Sequence, residues 1–141
     1  MDEFDAVDIV YNAVAAAGTD VMIYKDKSEA GLTNEHIVIN HLQLNELDFI
    51  NKVPVNINIF VPWSDENGML KRQRMKELKR KVRKSLDSIN SNDGVCKEVT
   101  VLWSVPMPDL KEKFACTNIR LEILIGLTSP AIIIDLLKFL I

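Results

Sequence analysis

Glycine is scarce and never clustered. The five glycines stand singly at positions 18, 31, 68, 94 and 126, so no glycine-rich loop exists to cradle a phosphate. Cysteine is scarcer, with only Cys96 and Cys116, remote from each other and without a C-x-x-C pair. The two histidines, His36 and His41, are remote from both thiols, so zinc-ligand spacing is missing and no metal site is expected. Five residues apart along a strand, the histidines fall on opposite faces unless a bulge intervenes. Both are expected to face solvent or to sit at a sheet edge. The first residues, Met1-Asp2-Glu3-Phe4-Asp5, are acidic, the wrong sign for the start of a secretory signal. Without that context the two cysteines are expected to be buried thiols rather than a disulfide. A membrane-spanning stretch is also lacking. The most apolar segment, Ala131 to Ile141, covers 11 residues, against the roughly 20 a spanning helix needs. A protein made in, and working from, a cytoplasm is expected.

Catalytic signatures are lacking too. No spacing points to a Ser-His-Asp or Cys-His arrangement. Pro108-Asp109 with Glu112 and Lys113 has a faint likeness to a metal-dependent nuclease signature. That chemistry needs a carboxylate and a lysine separated by one residue on the next strand. The next strand has Arg120 and Glu122 but no lysine two places on. No enzyme activity and no cofactor are therefore expected.

The sequence is rich in apolar residues, at 48%, with 26% charged, which is a globular rather than a disordered balance. Its 141 residues suit one domain, taken here as a core over 1–126 and an apolar extension over 127–141. Net charge is −3, but Met69 to Ile89 holds nine basic and two acidic residues. That segment is therefore +7, and the remainder of the chain is −10. So lopsided a helix cannot neutralise itself through neighbours one turn apart. Contact with an acidic face of another subunit, or with phosphates, is expected of it.

Periodicity sets the elements. Phe4, Val7, Tyr11 and Val14 recur at helical spacing, and Gly18 is placed to end that helix in a left-handed conformation. Strands are expected at Val21 to Tyr24, Glu35 to Leu44 and Val53 to Val61, with a parity shift at Asn40-His41 that signals a bulge. Pro54 implies an edge strand or a strand start. The basic helix follows, with Met75, Leu78, Val82, Leu86 and Ile89 as its apolar stripe. Glu98 to Val105 and Phe114 to Ile125 close the order as strands. Matched parity puts Val99, Val101 and Trp103 in the core with Val55, Ile57, Ile59, Leu121 and Ile123. Pro130 to Ile141 reads as a short helix capped by Thr128 or Ser129. The order α-β-β-β-α-β-β with short connections implies an α+β fold: a mostly antiparallel five-stranded sheet with helices on one face.

Candidate interface residues are drawn from the basic helix and from polar loops long for hairpins. The helix contributes Arg72, Arg80 and Arg83. The loop from Lys25 to Asn34 contributes Lys25 and Lys27, and the loop from Pro106 to Lys113 contributes Asp109 and Lys111. Leu136 and Phe139 in the apolar extension need cover from their own sheet or from a neighbour.

Several segments carry a family likeness: Val7-Asp8-Ile9-Val10-Tyr11-Asn12, Val21-Met22-Ile23-Tyr24-Lys25-Asp26, Glu35-His36-Ile37-Val38-Ile39-Asn40, and Val55-Asn56-Ile57-Asn58-Ile59-Phe60-Val61-Pro62. Over about residues 4 to 126 the chain resembles the tail terminator (tail-completion) proteins of tailed phages. The resemblance implies a structural virion subunit that forms a homo-oligomeric ring, commonly a hexamer. Such a ring caps the tail tube, stops its growth and joins the tail to the head-side connector. Its partners would be further copies of itself, the tail tube protein and the connector protein. The resemblance brings no catalytic residues. The alternative is a nucleic-acid-associated factor that binds phosphates through helix 69–89. It is disfavoured because only Phe60 and Trp63 lie near as stacking groups and the rest of the chain is acidic.

Overall fold

The computed structural model describes residues 2–43, 45–46, 50–89, 96–108 and 110–126. The segment 127–141, with Leu136 and Phe139, lies outside the described residues, as do Asp109 and the stretch 90–95. The fold is α+β, with the order expected from the sequence. Helix α1 spans Glu3–Ala15 and helix α2 spans Arg72–Ser85, extended by a 3-10 turn at Leu86–Ser88. The strands are β1 (Met22–Lys25), β2 (His36–His41), a two-residue β3 (Asn45–Glu46), β4 (Ile50–Pro62), β5 (Cys96–Pro106) and β6 (Phe114–Gly126). They form one sheet in the order β1-β2-β4-β6-β5, with β3 pairing β4 beyond the end of β2.

Most neighbours are antiparallel, but β1 and β2 run parallel, with Met22 opposite His36. The ten residues 26–35 are a crossover that returns the chain to the same end of the sheet. Their length, too great for a hairpin, is the physical reason.

One sheet face is aliphatic because the parities of three strands agree. Ile57 lies between Ile39 on β2 and Ile119 on β6, and Val55 lies opposite Leu121. All five side chains are fully buried. Both helices cover this face. Met75, Leu78 and Val82 of α2 and Val7, Val10 and Val14 of α1 join the same core. Phe4 does not: it is exposed and meets the edge of His41, while Ala6 and Ala13 take the buried side of α1. A reciprocal capping box between Asp2 and Asp5 starts α1, and Gly18 turns left-handed just past its end, at φ 71°.

Pro54 lies in the central strand β4, not at an edge or a strand start. Its carbonyl faces β2 and accepts from Leu42 N–H at 2.9 Å. Its missing N–H therefore points the same way, where the partner strand bulges. His41 pairs with Val55 and Asn45 with Lys52, so four steps on one strand meet three on the other. The extra residue opens the ladder where proline has no donor to give.

A second bulge decides the fate of Trp103. Val101 pairs with Leu121, but Trp103 pairs with Arg120, leaving Leu102 as the extra residue. Parity inverts there. Val99 and Val101 keep to the helix-covered face, whereas Trp103 turns to the opposite face and stays 41% exposed. The expectation that Trp103 belongs to the core is thereby corrected.

Candidate interaction surfaces

The nine basic residues around α2 divide by partner. Arg74 donates through Nε to both carboxylate oxygens of Glu35 at 2.9 Å and through a terminal nitrogen to the Thr19 carbonyl at 3.2 Å. Lys81 reaches the Gly18 carbonyl at 3.2 Å and Glu77 at 3.2 Å. These two tie α2 to the α1–β1 turn and to the start of β2. Arg74 is held protonated first by its bond to Glu35, and Lys81 lowers the pKa of Glu77. Arg83 donates to the Ser104 hydroxyl at 3.3 Å, which places that flank of α2 toward β5.

The remaining cations have no ion pair among the described residues. Arg72, Lys76, Arg80 and Arg83 are exposed and recur every three or four positions along one flank of the buried stripe of Met75, Leu78 and Val82. They form a ridge about 17 Å long at the helical rise. No acidic residue sits in the first turn of α2, so Arg72 opposes the helix dipole there. Of the sequence candidates, Arg72, Arg80 and Arg83 thus share one exposed surface.

The other candidates lie apart from that ridge. Lys25 sits at the β1 edge, 2.8 Å from Asp8 and over the ring of Tyr11 at 4.7 Å. The hydrogen bond to Asp8 raises its pKa. Lys27 is exposed in the crossover.

Lys111 is half-buried and bonded. Its ammonium lies 3.2 Å from the Ser28 hydroxyl and 2.9 Å from His36 Nε2, and over the rings of Phe60 and Phe114 at 5.3 and 5.2 Å. The two long loops are therefore pinned to each other by Lys111. His36 is not a solvent-facing histidine: it is 1% exposed and stacks on Phe60. Its Nδ1 lies 2.9 Å from the Asn34 carbonyl. A carbonyl only accepts, so Nδ1 carries the proton and Nε2 accepts from Lys111. Burial lowers the His36 pKa; the Asn34 carbonyl opposes that shift and the Lys111 charge adds to it. Burial also lowers the pKa of Lys111.

The sheet face away from the helices holds a polar network that sequence reading missed. Asn118 donates to Asn58 at 2.8 Å and to Asn56 at 3.2 Å, and accepts from Trp103 Nε1 at 2.9 Å. Asn56 donates to Asn40 at 3.0 Å and accepts from Arg120 Nε at 2.9 Å. Arg120 also lies over the Trp103 ring at 4.7 Å. The alternating Asn56 and Asn58 were a visible signal, since polar residues at a regular parity in an apolar strand need partners. Beside the network, Val38, Phe60, Phe114 and Cys116 form a small apolar cluster. Burial there pushes the Cys116 thiol up to about 12, so it stays protonated and unreactive.

At one end of the sheet, Trp63, Leu70, Met107 and Phe114 line an apolar pocket of about 200 Å³. That is below the roughly 300 Å³ of ordinary small-molecule sites. Among the described residues, no group of three His, Cys, Asp or Glu side chains is placed to hold a metal ion, and no helix is long and apolar enough to cross a membrane. Neither protein-family models nor curated proteins match the chain.

Proposed function

We propose that this chain is a non-enzymatic, ring-forming structural subunit of the tail terminator type. Copies of it would cap a phage tail tube and present a surface to the head-side connector, within a virion assembled in the host cytoplasm. The observation that carries this reading is the ridge on α2: four exposed cations recur at regular spacing with no ion pair among the described residues. Such a surface suits a charged partner far better than it suits an isolated domain. The α+β order supports the reading too, because it is the order over which the segment resemblance runs.

The decisive experiment is light scattering on the purified chain after size exclusion, with negative-stain microscopy, in the presence and absence of duplex DNA. A discrete ring without DNA is the expected result. A monomer that shifts only with DNA, and loses the shift as salt rises, would replace this reading with the nucleic-acid one.

A further inference from the structure

The charge split has a lateral geometry. Across the sheet, β1 is one edge strand and β5 the other. Helix α1 packs on β1 and β2, and its Asp8 reaches outward to Lys25 on β1. Helix α2 lies beside α1, and its Arg83 reaches Ser104 on β5. The basic ridge therefore flanks the β5 side of the molecule.

The β1 side is acidic. Residues 2–29 hold seven carboxylates against two lysines, a local charge of −5. Two of those carboxylates come together at one corner. Asp8 lies 2.8 Å from the Lys25 ammonium, whereas the Asp5 carboxylate turns back to accept from Asp2 N–H at 2.9 Å. Asp26 follows Lys25 directly and, with Asp8, raises the Lys25 pKa through its charge. The Lys25 ammonium answers two carboxylates there. Asp8 and Asp26 are exposed.

The basic and acidic flanks are on opposite lateral edges, so one copy cannot bring its own two together. We propose that the α2 ridge of one copy, centred on Arg72, Arg80 and Arg83, docks on the Asp8–Asp26 corner of a second copy. The contact is heterologous, head to side. Repeated with a closing rotation it generates a ring, and without closure a filament. The inference rests on the ring reading above and names the surface that would build the ring. Complementary charge of this kind steers and orients the encounter, and suppresses the like-to-like pairing of two ridges.

The test uses two reversed variants of the full chain. One carries Arg72→Glu, Arg80→Glu and Arg83→Glu. The other carries Asp8→Lys and Asp26→Lys; Asp26 is left-handed at φ 67°, a conformation Lys113 already adopts at φ 69°. Each variant alone should be folded by circular dichroism and monomeric by light scattering. Mixed in equal amounts they should assemble, because every ridge then meets a corner of opposite sign. Assembly of the α2 variant alone, or failure of the folded mixture to assemble, overturns this contact while an assembled unmutated chain leaves the ring reading standing. A monomeric unmutated chain removes both. An unmutated chain that shifts duplex DNA, with the shift abolished by the α2 variant and no assembly seen, assigns the ridge to nucleic acid instead.

Discussion

The two faces of the sheet solve the same problem by different chemistry. Under the helices, Val55, Ile57, Leu121 and Ile39 are fully buried and apolar, and burial alone stabilises them. On the far side, Asn56, Asn58, Asn118 and His36 are almost as buried but polar. They are tolerated because the described residues leave no buried side-chain nitrogen or oxygen without a partner. A strand in this protein thus carries oil on one parity and a bonded polar lattice on the other. The lattice is directional, so it resists slippage of β4 against β6 in a way the aliphatic face does not.

Breaking the aliphatic face should have the largest effect. Ile57→Ala deletes a side chain wedged between Ile39 and Ile119 and should cost about 2–5 kcal/mol in denaturant unfolding. A loss under about 1 kcal/mol would show that this face is not the core. The polar face should yield less. Asn118→Ala strips Asn56, Asn58 and Trp103 of a partner and should cost about 1–3 kcal/mol by the same measurement. A neutral result would mean that water replaces every lost bond. Smaller again is Trp103→Phe, which keeps the ring near Arg120 but removes the indole donor to Asn118. Its expected cost is about 0.5–1.5 kcal/mol, and a cost matching Asn118→Ala would place most of the network's weight on the tryptophan.

The faces should also differ in their response to pH. His36 is neutral when folded, since its pKa lies below the ordinary value near 6.5. The unfolded chain therefore binds a proton more readily. Stability from this group is full above about pH 6.5 and is lost as pH falls through that value toward the folded pKa. Protonation would also set an imidazolium against the Lys111 ammonium, which stands 2.9 Å away. Denaturant midpoints measured from neutral to acid pH should fall more steeply for the unmutated chain than for His36→Phe. Equal slopes would show that His36 charges without penalty in the folded state.

Element types and order were legible in the residues because they rest on local periodicity. The alternation in 53–61 and 114–125 and the stripe at Met75, Leu78 and Val82 need only nearest neighbours to be read. The ridge of Arg72, Arg80 and Arg83 was legible for the same reason: a helix leaves outside whatever it does not bury. What failed were statements that depend on partners distant in sequence. Trp103 matches the parity of Val99 and Val101, yet the extra residue Leu102 turns it to the other face, and only the pairing with β6 defines that bulge. Pro54 looks like an edge residue until the neighbouring strand supplies a gap for its missing donor. His36 looks like a surface histidine until Phe60, Phe114 and Lys111 close over it from three other segments. The sequence by itself determined the elements, their order and the charged helix face, because these follow from spacing along one chain. Only the tertiary structure decided which strand is central, that β1 and β2 run parallel, which described cations form ion pairs, and that bonded asparagines share the second face. Each of those depends on which groups far apart in sequence come within bonding distance.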